Sequence, residues 1–120
     1  TKELLYESAA MGIATVPAGI SILEGIQSAA GRIEGHLTGL EAKFLAQVGR
    51  ATVGMTRADA DPLVRKLTPL YAEQQKTGVA MKGKHFTEAY DVETIQPTAE
   101  WQGVYEEVCQ EMEDMLGLKL

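Results

Sequence analysis

Two histidines, one cysteine and a scatter of carboxylates are the side chains with which this 120-residue chain could do acid–base, metal or thiol chemistry. His36 stands in a glycine-spaced loop with Glu34 two residues before it and Arg32 four before. Such a trio can bind or orient a polar ligand, and solvated loop side chains are its plainer reading. His85-x-x-Glu88 puts an imidazole and a carboxylate one helical turn apart, a metal-ligand spacing. No second such pair exists, so a di-iron bundle is unsupported and His85 reads as structural or exposed. Glu24 falls inside an apolar run and must be paired if it points inward, which makes it a candidate site residue. Cys109 has no basic neighbour to stabilise a thiolate and reads as packing. Met112 and Met115 read as core filler, and Lys82 and Lys84 as a solvated turn. Neither Gly-x-Gly-x-x-Gly nor Gly-Lys-Ser/Thr occurs, so there is no phosphate-loop signal. The residues by themselves assign no catalytic, cofactor-binding or metal-ligating set.

Ile20, Ile22, Leu23 and Ile26 form an apolar run bounded by Pro17 and Gly19 before it and by residues 28–31 after it. Its shortness favours a buried strand, with helix left open by periodicity. The loop Ser28-Ala-Ala-Gly-Arg-Ile-Glu-Gly-His-Leu-Thr-Gly39 can turn tightly at its glycines. Thr38 then reads as an N-cap with Glu41 as its reciprocal partner, delivering the chain into a helix at Leu40. In parallel α/β proteins ligands are met after the carboxyl end of a strand, so this loop is where function is sought first.

The flanking elements follow the same rules. Residues 2–15 read as a helix rich in small side chains, with Leu4, Leu5, Ala9 and Ile13, and also Tyr6 and Met11, available for packing. The helix from Leu40 sets Leu40, Phe44, Val48 and Ala51 on one stripe, with Leu45 and Val53 flanking it and Glu41, Lys43, Gln47 and Arg50 outward, and Gly54 closes it. Thr56 and Asp59 box the start of the next helix, whose buried face is Leu63, Val64, Leu67, Leu70 and Tyr71 and which Pro69 is expected to bend or break. Residues 77–97 read as irregular with one helical turn near 85–91, and Phe86, Tyr90, Val92 and Ile95 can pin this arm onto a larger body. Pro97-Thr98 caps a final helix striped by Trp101, Val104, Tyr105, Val108, Met112 and Leu116, which ends at Gly117. A lone buried strand would leave backbone groups unpaired at about 1–3 kcal/mol each. Either that run is helical or its partner strands lie on other polypeptide. The second reading is preferred, and it makes the chain a fragment.

The formal charge of −6 reflects 17 acidic against 11 basic residues. The acids gather in the last quarter, at Glu100, Glu106, Glu107, Glu111, Glu113 and Asp114. Such a surface repels phosphate backbones and anionic lipid, which argues against nucleic acid or membrane as partner. A single cysteine makes no internal disulfide, so the expected setting is a reducing cytoplasm. No apolar run approaches the roughly 20 residues that span a bilayer, and the start of the sequence lacks a signal-peptide layout.

The segment Lys82-Gly-Lys-His-Phe-Thr-Glu-Ala-Tyr-Asp-Val-Glu-Thr-Ile-Gln-Pro-Thr98, followed by Trp101, Val104-Tyr105 and Met115-Leu-Gly-Leu, resembles the carboxyl-terminal tail of the monomethylamine methyltransferases of methylotrophic methanogens. Leu40-Glu-Ala-Lys43, Arg50-Ala-Thr-Val-Gly54 and Glu7-Ser-Ala-Ala10 are similar to that family in the same order, and the likeness spans essentially the whole chain. Ala30-Gly31, Glu34 and Leu37-Thr38 are also similar to the last barrel loop of the trimethylamine branch. The resemblance implies a fold that is α/β by ancestry, the carboxyl-terminal part of a TIM (β/α)8 barrel, in a piece that is mostly α-helical with one short strand. It implies one unit over residues 1–120, with a last helix-strand-loop-helix passage at 1–54 and a helical tail at 55–120.

The family moves a methyl group from monomethylamine to a Co(I) corrinoid carried by a partner protein, with pyrrolysine as the electrophile that holds the amine. The resemblance places pyrrolysine and its neighbours earlier than this segment, so no catalytic residue and no cofactor is expected within the chain, which would be inactive alone. It puts Gln27, Ser28, Arg32, Glu34 and His36, with Glu24 just before them, at the barrel mouth as contacts for the corrinoid protein. The tail would meet the remainder of the barrel or another subunit of an oligomer. The rival reading is a stand-alone acidic helical interaction module, or a scaffolding remnant.

Overall fold

The computed structural model describes residues 1–26, 31–79 and 81–120. Among them the chain runs through α1 (Lys2–Thr15), α2 (Gly39–Ala51), α3 (Arg57–Lys76), the single turn α4 (Phe86–Ala89), β1 (Tyr90–Asp91), β2 (Gln96–Pro97) and α5 (Ala99–Leu116). The fold is mostly helical, as expected.

Helix α1 is the axis of the packing and lies against α2, α3 and α5. Its Leu4, Leu5, Tyr6, Ser8, Ala9, Ala10, Gly12 and Ile13 are all buried, the signature of an interior helix rather than of one with a single wet face. The Ser8 hydroxyl is satisfied locally by donating to the Leu4 carbonyl at 2.6 Å. Small residues let α2 come close: a Cβ on Gly12 would stand 3.0 Å from Val48 Cγ1 and 3.3 Å from Leu45 Cδ1. Met11, expected to be available for packing, turns to the surface.

The apolar run after α1 departs from expectation. Residues 20–26 form neither helix nor paired strand, and Ile20 and Ile22 are 52% and 72% exposed. Leu23 and Ile26 turn inward, onto Leu4 and Leu45. A strand needs a hydrogen-bonded neighbour, and the described residues supply none beside this run. The strand content sits instead in the arm, where β1 and β2 pair antiparallel with Tyr90 opposite Pro97 and Asp91 opposite Gln96. Between them Asp91 Oδ1 accepts the Glu93 and Thr94 N–H groups, both at 2.9 Å. Phe86 and Tyr90 stack at 5.2 Å, whereas Val92 and Ile95 point to solvent and do not pin the arm to this body.

Helix α2 starts as expected, with the capping box of Thr38 and Glu41 formed. Phe44, Leu45 and Val48 are buried, while Val53, expected to flank them, is 74% exposed beyond the helix end. Glu41 corrects a second expectation. It is wholly buried rather than outward, because the cap position turns it under the arm and α5. Glu41 Oε2 accepts the Thr38 N–H at 3.0 Å and the Thr38 hydroxyl, and Thr38 Oγ1 in turn accepts the Trp101 indole N–H at 3.1 Å. Burial pushes the Glu41 carboxyl above its ordinary range, against the pull of these hydrogen bonds.

Helix α3 opens on its Thr56–Asp59 box and runs to Lys76 without breaking at Pro69. Each proline removes the donor for the carbonyl four residues back, but Ala58, Pro62, Arg65 and Pro69 are all exposed, so those carbonyls face water. Ala60 and Leu67 form its buried contact and Leu70 is 39% exposed, a narrower face than expected. Helix α5 buries Trp101, Tyr105, Val108 and Met112 and stops where Gly117 takes φ +68°, which tucks Leu118 back into the core.

Two outcomes follow from this packing. Gly12→Val forces branched carbon into Val48 and Leu45 and is expected to destabilise by about 1–3 kcal/mol, read as a lowered Tm in thermal unfolding by circular dichroism; an unchanged Tm would contradict the close helix approach. The raised Glu41 pKa means that the folded chain holds that proton more tightly than the unfolded chain does. Stability attributable to Glu41 is therefore full below the unfolded value and is lost as pH climbs through the folded one. Glu41→Gln is expected to remove this part of the pH dependence and to match or exceed the parent Tm at pH 8, whereas parallel Tm profiles from pH 4 to 8 would refute the buried-acid assignment.

Candidate functional site

The loop that enters α2 and the arm that precedes α4 meet face to face, and both histidines sit at the junction. His36 and His85 are edge to face with ring centroids 5.5 Å apart, although 49 positions separate them in the sequence. His36 is half-buried, and its Nδ1 lies 2.9 Å from the Gly83 carbonyl. A carbonyl can only accept, so Nδ1 donates in this contact. The spacing His85-x-x-Glu88 resolves into a capping box rather than a metal site. His85 Nδ1 accepts the Thr87 N–H at 3.3 Å, and Glu88 Oε2 accepts the His85 N–H at 3.0 Å.

Beside this junction a cleft of about 460 Å³ opens between the start of α1, the turn at 82–84 and the start of α5. Its walls carry charges of both signs. Lys84 pairs with Glu100 at 2.6 Å, so it belongs to an ion pair and not to the solvated turn expected for it, while Lys82 is exposed. Lys2 is tied to Glu107 at 2.5 Å and Glu111 at 3.2 Å. Trp101 and Val104 form the apolar floor.

Of the described residues expected at the barrel mouth, only His36 enters this network. Arg32 and Glu34 are exposed on the outer side of the loop, and Glu24 is exposed on the irregular run before it. Gln27 and Ser28 lie outside the described residues. Cys109 is half-buried against Tyr105 and Lys43, and burial pushes its thiol up, so it stays protonated and packs. Met112 is core, but Met115 lies at the surface, 36% exposed. Among the described residues no group of three or more His, Cys, Asp or Glu side chains is placed to hold a metal ion.

The arrangement missed from the sequence is the clamp itself: Gly83 under His36, Gly35 under His85, and Glu41 against Gly83. Its one sequence signal was a glycine close before each histidine. As chemistry, the junction offers the edge of the His36 imidazole and a mixed-charge cleft. It supplies recognition and positioning, with no nucleophile and base in line.

Comparison with known proteins gives these features a lineage. The family model for monomethylamine methyltransferase MtmB matches residues 1–118. The chain is 40% identical over 118 residues to monomethylamine methyltransferase MtmB of Methanosarcina mazei and 37% identical to MtmB1 of Methanosarcina barkeri, in each case over 98% of this chain and 25% of the relative. The crystal structure of the Methanosarcina barkeri enzyme superposes on all of this chain with a TM-score of 0.88 at 37% identity, covering 26% of that protein, and its hydroxylamine complex does the same. The chain thus spans about a quarter of the length of the curated relatives it matches. This agrees with the expected carboxyl-terminal piece of a TIM-barrel enzyme. By sequence over residues 1–118 and by fold over its whole length, the chain belongs to the monomethylamine methyltransferase MtmB family.

Proposed function

We propose that this chain acts as one part of a monomethylamine:corrinoid protein methyltransferase, contributing the loop at 27–36 and the helical tail while the catalytic groups lie on the rest of the enzyme. The observation that carries the reading is the match of 98% of this chain to a quarter of the relative at 40% identity. The junction of His36 and His85 is consistent with it. Both imidazoles are engaged in holding backbone, Glu88 caps the His85 N–H, and the Glu41 carboxyl is sealed from solvent. In this reading the corrinoid is brought by a protein partner, with Glu24, Gln27, Ser28, Arg32, Glu34 and His36 as its contact residues. The assembly works in the cytoplasm, and among the described residues no helix is long and apolar enough to cross a membrane.

The rival reading, an acidic module that binds through the last helix, has less surface to work with. Glu111 accepts the Tyr6 hydroxyl at 2.5 Å and pairs with Lys2, which also holds Glu107, and Glu100 is held by Lys84. Half of the acids counted in that quarter therefore serve the fold.

A chimera tests the proposal: this chain replaces the matched quarter of the Methanosarcina mazei enzyme, and methyl transfer from monomethylamine is followed by the optical change of the Co(I) corrinoid protein. The expected rate is within about tenfold of the parent, equivalent to about 1.4 kcal/mol of barrier, with no turnover by the 120-residue chain alone. Turnover by the chain alone, or a folded chimera without activity, would overturn it.

A further inference from the structure

The segment at 82–86 crosses the loop at 31–37 and is bonded to it at two points. Gly83 O accepts His36 Nδ1–H at 2.9 Å, and the Phe86 N–H donates to Gly35 O at 2.8 Å. His85 is fixed over Gly35 by its cap bond to the Thr87 N–H, and its ring leans on His36. Two positions in this contact admit glycine alone. Gly35 takes φ +71°, and a Cβ there would overlap His85 Nε2. On Gly83 a Cβ would stand 2.5 Å from Glu41 Oε1 and 3.0 Å from the His36 carbonyl. Neither neighbour yields easily, since one is backbone and the other is a wholly buried carboxylate anchored on Thr38.

The outer side of the same loop is the reverse. Arg32 and Glu34 are exposed, and Ile33 and Leu37, 45% and 43% exposed, stand among them. A backbone clamped from within that shows alternating apolar and charged side chains outward is what a preorganised recognition surface requires, because the ordering cost is met before the partner arrives. The charges of both signs around apolar contacts suit a folded protein surface with the complementary pattern, not a polyanion or a small amine.

We infer that the strap at 82–86 is a positioning device that sets the path of residues 31–37 for docking of the methyl-accepting protein, with Gly83 and the His36 imidazole as its two fixings. This rests on the function proposed above. Gly83 touches neither amine nor partner and acts through the loop.

The test has two arms, so that this inference and the functional reading fail separately. In the first, amide hydrogen exchange is measured on the 120-residue chain. His36→Leu, which keeps bulk but donates nothing, is expected to speed exchange across 31–37 by about tenfold, as is Gly83→Ala. His36→Asn, whose amide can donate to Gly83 O, is expected to keep the parent protection. In the second, Gly83→Ala in the chimera is expected to raise KM for the corrinoid protein by about tenfold, with kcat within about twofold and KM for monomethylamine unchanged. Parent-like protection of 31–37 in His36→Leu, or equal loss in His36→Asn and His36→Leu, would overturn the strap whatever the chimera does. Unchanged KM for the corrinoid protein in an active Gly83→Ala chimera would overturn its role in docking.

Discussion

The hydrogen-bond chain from the Trp101 indole through the Thr38 hydroxyl to the Glu41 carboxylate is the constraint on which the rest of the arrangement depends. All three side chains are at most 5% exposed, so no water is at hand to replace a lost partner. Trp101 can bury its ring only where its N–H finds Thr38, which fixes how α5 lies on the start of α2. Thr38 can sit there only as the cap of α2, which fixes where the loop ends. Glu41, drawn inward by that cap, brings its other oxygen against Gly83 and so sets how closely the arm approaches. One cluster thereby joins a loop, two helices and an arm that are distant in sequence. Glu41 Oε1 accepts no hydrogen bond among the described residues, and burial accordingly pushes the carboxyl above its ordinary range.

Much of this framework was legible in local signals. Thr38 with Glu41, Thr56 with Asp59, Thr98 before Trp101, and Gly117 after Leu116 each satisfy orphan backbone groups within a few residues, and the structure places all of these ends where the residues said. What periodicity misjudged was the facing of single side chains. Glu41 on a wheel of charged neighbours looks like Lys43 or Arg50, and only the arm and α5, brought over it by tertiary packing, turn it into a core group. Leu70 and Met115 fail in the opposite sense. Leu70 continues its stripe past the point where a neighbouring element covers it, and Met115, read as core filler, lies at the surface near the end of α5. The run at 20–26 carries strand composition without a strand, since pairing depends on a partner that no local signal can supply.

The junction of the two histidines left only a faint trace in the sequence, a glycine close before each of them. His36 and His85 belong to segments read separately, and His85-x-x-Glu88 carried a metal spacing that the fold spends on capping its own four-residue helix. Gly35 and Gly83 were visible as turn residues, but their close approach to His85 and Glu41 is a property of two chains of backbone meeting, which sequence spacing does not encode. Family resemblance, by contrast, was carried by strings with no chemistry in them. It identified lineage because packing and capping choices persist over a whole segment, and for the same reason it left the roles of individual loop residues open.

The central claim, that the Trp101–Thr38–Glu41 chain is closed inside this molecule and underlies its shape, is tested most directly by hydrogen exchange at the indole N–H. Trp101 is the only tryptophan, so one NMR resonance reports it. The account predicts exchange as slow as that of the α1 core amides, through global unfolding alone. Exchange at the rate of an exposed indole, while those amides remain protected, would contradict it.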